Sequence, residues 1–370
     1  MSKLRLVRGS EVSSFLADRN AWKLRWVDHL VKKQQDGKLF FGTLFHKYLE
    51  FRYKYWYEPS AEILNKVNAW LREQDTSAMD TVFYQEMIEI FHGVAENYES
   101  VYSDELERME VIATELRFAI PLFSSMDERL DFAYEGTIDL VYCTDGKNLQ
   151  FMDHKTVSSI DRYVSNAVLD RQISRYWWAL SALREGHGYV WEDEQWKHVS
   201  DTTFGQKIHS HLPVSKFTYN LIRKEVPKAP YMLKGGRLSK AKNQNTTKRL
   251  YEQAIEHFGL NRSEYADILE EFSDQKFLRR VEVVRNWNEC CAAIDDFAKA
   301  AKDMLQLRKA VEEGNESGLY WNITWDTPTF NAYFPLIQAE VMGENVSMVR
   351  AALYQVEDYN EGDDYIEVGD

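Results

Sequence analysis

One stretch near the middle of the chain, residues 134–156, constrains the fold most strongly. Apolar and polar residues alternate through residues 137–141, and a second, largely apolar run covers residues 149–152. The Asp145-Gly146 pair between the two runs is typical of a tight turn. The pattern therefore predicts two antiparallel strands joined as a β-hairpin.

Three charged residues interrupt these apolar runs. Asp139 lies in the first run, and Asp153 and Lys155 follow the second. We expect the three side chains to converge, because they occupy adjacent strands. A carboxylate in an apolar setting needs a cation or hydrogen-bond donors. A divalent metal ion would meet that need, and a cross-strand salt bridge is the alternative interpretation.

Size and composition leave the number of domains open but indicate a packed globular protein. The 370 residues include 44% hydrophobic and 14% aromatic residues. No apolar run approaches the roughly 20 residues that cross a bilayer, and the N-terminus lacks the apolar segment of a secretory signal. We therefore expect a soluble, cytoplasmic protein without a membrane partner. Cys143, Cys290 and Cys291 are the three cysteines of the chain, too few for a disulfide framework or a cysteine-based zinc site.

Periodicity divides the chain into four parts. Helical spacing dominates residues 1–109, and strand patterns at 111–122, in the hairpin and at 217–221 surround a predicted helix at 161–185. We expect an α/β core at residues 110–224 with a central mixed sheet and flanking helices. Residues 225–356 predict a basic loop followed by a helical lobe, and residues 357–370 an acidic, partly disordered tail.

A strongly basic segment at residues 205–250 stands out in a chain of net charge −14. It holds eleven Lys or Arg residues against one acid, Glu225. Its polar, glycine-containing middle predicts a mobile loop. The segment would contact DNA phosphates, with Tyr219 and Tyr231 stacking on unpaired bases, or it is a solvated loop between domains. The predicted DNA-binding residues in and beside its central part are Arg223, Lys224, Lys234, Arg237, Lys240 and Lys242.

Four short motifs in a fixed order resemble those of a known enzyme family. The sequences GTID and DHKT, which contain Asp139, Asp153 and Lys155, resemble motifs II and III of the PD-(D/E)XK nuclease superfamily. The upstream GTLFHKYLE, with His46, and the downstream Gln172-x-x-x-Tyr176 are similar to elements of its RecB-like branch. The segment FTYNLIRKEVP resembles phage-encoded members. The resemblance implies a restriction-endonuclease-like core.

The resemblance also implies roles for individual residues. It assigns Mg²⁺ or Mn²⁺ binding to His46, Asp139, Asp153 and the backbone carbonyl of His154. Lys155 would orient the attacking water and offset charge on the phosphate, and Glu115 would be a further catalytic acid. Gln172 and Tyr176 would contact DNA or order the site. Taken alone, His46 would more often be a helix-packing histidine than a metal ligand, and Tyr176 would be an ordinary core residue.

One departure from the relatives concerns iron. Many RecB-like nucleases hold an iron–sulfur cluster through cysteines near both chain ends, but the equivalent stretches, residues 14–26 and 320–340, contain none. We therefore predict no iron–sulfur cluster. Aromatic residues would instead join the two ends, namely Trp22, Trp26, Trp321, Trp325, Phe330 and Phe334.

These observations predict a metal-dependent deoxyribonuclease, specifically an exonuclease in phage or bacterial recombination, repair or DNA degradation. Its expected partners are DNA and a recombination or single-strand-binding protein. The alternatives are a catalytically silent DNA-binding protein with the same fold, which would usually lack one catalytic residue type, and a purely structural module, which would bind neither metal nor DNA.

Overall fold

The computed structural model of the chain describes residues 2–34, 37–74, 81–123, 128–208 and 212–368. The strands are β1 (Ser2–Arg8), β2 (Leu30–Lys32), β3 (Glu110–Phe123), β4 (Arg129–Cys143), β5 (Leu149–Val157), β6 (Tyr189–Glu192), β7 (Gln195–His198), β8 (Val214–Arg223), β9 (Met232–Leu233), β10 (Arg237–Leu238), β11 (Leu278–Val283), β12 (Tyr354–Val356) and β13 (Tyr365–Val368).

Helices occur before, within and after this series of strands. They are α1 (Gly9–Ala17), α2 (Arg19–Trp26), α3 (Gly37–Lys54), α4 (Ser60–Arg72), α5 (Thr81–Tyr102), α6 (Ile160–Ala167), α7 (Arg171–Arg184), α8 (Thr203–Lys207), α9 (Lys248–His257), α10 (Ala266–Leu269), α11 (Trp287–Glu312), α12 (Thr327–Phe330), α13 (Phe334–Met342) and α14 (Val346–Leu353). None of these described helices is long and apolar enough to span a bilayer.

The central sheet is mixed. Its main path runs β11-β8-β5-β4-β3-β6-β7, and β1 pairs with the first half of β4 and carries β13 on its other side. β3, β4 and β5 are antiparallel neighbours, which confirms the predicted hairpin. β8 returns parallel to β5, and the crossover between them contains α6 and α7.

Both faces of the sheet are covered by helices. Leu140 and Met152 belong to a buried cluster with residues of α3, α4 and α5, whereas Val141 and Phe151 pack with residues of α7 and α11. Neighbouring strand residues point to opposite faces, so each strand contributes to both clusters. The arrangement confirms the predicted α/β class with a central mixed sheet and flanking helices.

Three predicted elements differ in the structure. The single helix expected at residues 161–185 is two helices, because α6 ends at Ala167 and Asp170 caps a new helix. The N-terminal region contributes β1 to the sheet in addition to its helices. The prediction of disorder in the tail is wrong for β13, where Ile366 pairs with Leu4 of β1.

The basic segment is also more ordered than expected. Residues 232–238 form the β9–β10 hairpin, and Gln244 is buried, accepting a hydrogen bond from the backbone of Tyr231 and donating to Ser239. The prediction of a mobile loop is therefore wrong for this part. Residues 209–211 of the segment lie outside the described residues.

The two chain ends do pack together, and of the predicted aromatic residues Trp321 packs in the apolar cluster that joins them. β12 pairs with β2, and the carboxylate of Asp18 accepts from the backbone of Asn322 at 3.0 Å. Trp325, expected in this interface, is fully exposed, and Phe330 is 69% exposed. Both aromatic rings remain available for other contacts.

Candidate active site

The charged residues of the hairpin meet a helix from the N-terminal region. Asp139 lies on β4 and Asp153 and Lys155 lie on β5, while His46 lies on α3. A Cβ on Gly42 would be 3.3 Å from Oγ1 of Thr156, so α3 passes close to the end of β5. This approach brings the helical turn of His46 to the charged strand residues.

Three of these side chains form a compact group. The ligand atoms of His46, Glu115 and Asp139 all lie within 4.8 Å of one another. Nδ1 of His46 is 3.6 Å from Oδ2 of Asp139, which also accepts a 2.7 Å hydrogen bond from the backbone N–H of His154. The structure thus brings Glu115, on β3, into the same group as the hairpin aspartate.

The backbone is irregular at both acids. Glu115 has φ +48°, a left-handed conformation that a non-glycine residue rarely adopts in a strand. In β4, Ile138 and Leu140 are two residues apart but belong to different buried clusters, so the strict alternation predicted from sequence breaks at Asp139. Such departures from regular strand geometry cluster at functional sites.

Asp153 and Lys155 form an ion pair beside this group. They are two residues apart, so their side chains share a face of β5, and Nζ of Lys155 is 2.7 Å from Oδ2 of Asp153. That oxygen is buried and accepts no well-aligned hydrogen bond from any described residue. The salt-bridge interpretation therefore accounts for Asp153, but it does not provide a cation for the carboxylates of Asp139 and Glu115.

The electrostatics of the group favour a bound cation. Burial, together with the nearby Asp153 and Glu115, raises the pKa of Asp139 well above its usual value. Burial and the carboxylate of Glu50 raise the pKa of Glu115 to about 7. Burial lowers the pKa of His46, which favours the neutral imidazole that binds metals.

The donor set fits Mg²⁺ or Mn²⁺. These ions prefer hard oxygen ligands, and Mn²⁺ also accepts imidazole nitrogen. Asp139 and Glu115 are crowded carboxylates whose charged forms are destabilised, an arrangement that a divalent cation would stabilise.

His154 divides its contacts between the two faces of β5. Its backbone N–H donates to Asp139, whereas its buried ring stacks parallel to Tyr53. The ring nitrogen Nδ1 lies 3.0 Å from Nδ2 of Asn220. Burial lowers the pKa of His154 well below its usual value, so the ring is neutral and accepts from the amide. Any role at the site belongs to the backbone of this residue.

Gln172 and Tyr176 border a polar cavity of about 420 Å³ next to Thr137, two residues before Asp139. Tyr176 is also a core residue, packed edge-on against Phe118, so the core interpretation and the site interpretation both hold for its position. The two residues are four apart on α7 and therefore share one face of this helix.

The profile of the PD-(D/E)XK nuclease superfamily matches residues 10–290, well over half of the chain. The chain belongs to this superfamily. Nuclease activity, a divalent metal and a DNA substrate follow from membership at this level. No curated protein sequence matches the chain significantly.

Two arginines that line the cavity beside Gln172 were not predicted from the sequence of this superfamily member. Arg8 and Arg175 line the same wall as Gln172, and Nε of Arg175 is buried without a hydrogen-bond partner among the described residues. Arg175 could have been noticed because it lies inside the Gln172-x-x-x-Tyr176 element. Arg8 carries no such signal, since only the pairing of β1 with β4 brings it there.

The predicted DNA-binding residues of this nuclease fall into two groups. Three are paired with acids: Arg223 with Glu225 at 2.6 Å, Lys240 with Asp267 at 3.0 Å, and Lys242 with Glu271 at 2.6 Å. Lys234 and Arg237 are exposed at the β9–β10 hairpin, and Lys224 lines a cavity that also includes Thr156.

The two tyrosines predicted to stack on bases differ in their exposure. Tyr231 is 66% exposed, consistent with a surface role, but Tyr219 is buried in β8. The Tyr219 hydroxyl donates to Asp170, and its ring packs against Phe217 and Tyr163. Tyr219 therefore cannot stack on a base, and that prediction is wrong.

Proposed function

We propose that this chain is a Mg²⁺- or Mn²⁺-dependent deoxyribonuclease of the RecB-like branch, acting as an exonuclease in phage or bacterial recombination, repair or DNA degradation. One observation carries the proposal. His46, Glu115 and Asp139 converge within 4.8 Å beside the Asp153–Lys155 ion pair. Every residue type that the resemblance requires is therefore present at one place, which argues against a silent relative.

The side chains of His46, Glu115 and Asp139 would hold the metal, with Asp153 and the backbone of His154 beside it. The bound ion would stabilise negative charge on the phosphate and lower the pKa of the attacking water. Burial opposes the charge on Lys155, but Asp153 and Asp139 together raise its pKa above the usual value. Lys155 therefore remains an ammonium ion at neutral pH, where it orients water and offsets charge on the phosphate instead of accepting a proton.

Exonuclease action is supported by the Gln172-x-x-x-Tyr176 element and by the cavity that it borders. Gln172 and Arg175 present an amide and a guanidinium group to this cavity, which opens next to the strand of Asp139, and Arg8 lines it while paired with Glu135 at 2.7 Å. Such groups suit contacts with the phosphates of a DNA strand. They would position the strand relative to the metal.

The test uses end-labelled linear duplex, circular and single-stranded DNA with Mg²⁺ or Mn²⁺. An exonuclease releases label from linear substrates and leaves covalently closed circles intact. Lys155→Ala and Asp153→Asn should abolish release, whereas Lys216→Ala, which removes an exposed lysine of β8 paired with Glu282, should retain it. Binding without metal-dependent cleavage by the wild type would establish the accessory protein instead, and full activity of Lys155→Ala would refute the mechanism.

The DNA-contact proposal has its own test. Reversing the charge of Lys234 and Arg237, which pair with no acid among the described residues, should weaken DNA binding and reduce its salt dependence. Reversal of Lys240 and Lys242, whose charges are offset by Asp267 and Glu271, should have a smaller effect. Equal and unchanged salt slopes for both double variants would remove this segment from the DNA path.

A further inference from the structure

Two cavities are lined by sequence neighbours of the candidate metal site, one from α3 and one from the end of β5. The first, about 710 Å³, begins at Thr156, the residue after Lys155. The second, about 830 Å³, includes Thr43, one helical turn before His46. The aromatic ring of Phe330 lines both. A strand that passes the site through these cavities must pass Phe330.

Phe330 is exposed although its backbone is firmly held. It ends α12, whose first residue, Thr327, is buried and accepts a 2.8 Å hydrogen bond from the backbone of Thr324. The next residue, Asn331, donates to Asp18 at 3.4 Å. The ring is therefore presented from a rigid turn, and a ligand that covers it has little backbone entropy to overcome.

The charges along the cavities suit a polyanion. Among the described residues that line the larger cavity there is no Asp or Glu, although the chain has 59 acidic residues. Lys32 lines this cavity, as does Arg25, which also pairs with Glu357 at 2.6 Å. The smaller cavity contains Arg162 and Lys224. Its one acid, Asp170, already accepts from the Tyr219 hydroxyl and the Gln172 backbone.

We propose that Phe330 stacks on an unpaired base of a single DNA strand that occupies these two cavities. The inference rests on the proposed nuclease function and adds a residue that selects unpaired over paired substrate. An exposed ring beside basic side chains combines the base stacking and phosphate attraction that single strands require. In a duplex each base is already covered by its neighbours, so the ring has no free base face to contact.

The experiment measures binding by fluorescence anisotropy in EDTA, where no hydrolysis occurs. The ligands are an oligothymidylate and an abasic oligonucleotide of the same length. Phe330→Ala should weaken oligothymidylate binding roughly 5- to 100-fold, the loss of one stacked base, and leave abasic binding unchanged. Phe330→Trp should retain binding. Trp325→Ala, from the same turn but outside both cavities, is the matched control and should bind like the wild type.

Three results would overturn the inference: wild-type affinity of Phe330→Ala for oligothymidylate, an equal loss on the abasic ligand, or tighter binding of duplex than of single strand by the wild type. The readout is independent of cleavage. Phe330-dependent binding without metal-dependent hydrolysis would refute the nuclease and keep the stacking site. If Phe330→Ala changed neither hydrolysis nor binding, the stacking site would be refuted and the nuclease function would be kept.

Discussion

Two polar clusters lie on either side of β5, and they differ in how their charges are balanced. On one side, Asp153 and Lys155 adjoin Asp139 and Glu115, and Glu115 in turn lies near Glu50 and Lys47. Four carboxylates therefore share two ammonium ions on this side. On the other side, the ring of His154 begins a network that ends in carboxylates and arginines. Both clusters are largely buried, and both interrupt apolar runs.

The network behind His154 neutralises itself. Asn220 bridges His154 and the Tyr98 hydroxyl, at 3.0 and 2.9 Å, and Tyr98 accepts from Arg280. The carboxylates here are Glu99 and Glu105. Arg52 contacts both, at 2.9 and 2.6 Å, and Arg280 also pairs with Glu105.

The comparison separates a cluster with balanced charges from a cluster with excess negative charge. Two acids with two arginines need no further ion, so the network behind His154 can serve packing alone. Four acids with two lysines leave two negative charges without a partner, which a divalent cation would balance. The predictions below test this difference, from the largest expected effect to the smallest.

The largest effect is expected from Lys155→Met. Loss of a charge that acts on the transition state should reduce the cleavage rate at least about 1000-fold. Single-turnover cleavage of labelled DNA measures it, with Lys216→Met as the control. A loss of less than tenfold would show that the lysine is only a counter-ion for Asp153.

Arg52→Met should act on folding instead. The side chain is 2% exposed, and its removal leaves Glu99 and Glu105 with one fewer buried cation, which costs about 3–5 kcal/mol of unfolding free energy. Urea denaturation measures the loss. Arg262→Met, which breaks the exposed pair with Glu252, should cost less than about 1 kcal/mol. Similar losses in both variants would contradict a buried structural network.

Metal binding should stabilise the cluster that contains Asp139 and have no effect on the network behind His154. At a concentration 100-fold above its dissociation constant, Mg²⁺ or Mn²⁺ should add about 2.7 kcal/mol to the unfolding free energy of the wild type. The same addition should have little effect on Asp139→Asn. Thermal or urea denaturation with and without EDTA provides the measurement, and equal stabilisation of both proteins would place the ion elsewhere.

The smallest effect concerns Asp139 without metal. Its pKa is raised in the folded state by burial and by Asp153 and Glu115, so folding loses stability as the pH rises from the unfolded pKa of about 4 to the folded one. In EDTA at pH 8, Asp139→Asn should therefore be more stable than the wild type by about 1 kcal/mol.

That gain should shrink as the pH falls, because the aspartate of the wild type becomes protonated. Urea denaturation in EDTA at several pH values would show the convergence. A gain that stays constant down to pH 4 would mean that the charge of Asp139 is not the cause.

Local sequence was sufficient for much of this architecture. The hairpin of β4 and β5, the helices α3, α4 and α11, and the alternating strand β3 follow periodicities that a chain shows over ten or twenty residues. β1 and β13 escaped prediction because each is defined by a partner far along the chain.

The number of basic residues in a segment did not predict which of them are free to contact DNA. Eleven basic residues in one segment indicated a DNA surface, but three of the six chosen residues have acidic partners in the fold. Likewise, Trp325 and Phe330 were expected in the contact between the chain ends, and the structure leaves both exposed. Partners of this kind depend on distances through space, which residue spacing does not encode.

The sequence by itself determined the superfamily, through the order and spacing of Asp139, Asp153 and Lys155 with their flanking motifs. It also supplied hard oxygen ligands, and with them the class of metal. The tertiary structure decided that Glu115 joins His46 and Asp139, and that the ring of His154 belongs to a separate, balanced network. The physical reason is that burial and charge balance, which set the pKa values and the need for a cation, arise only when distant segments pack together.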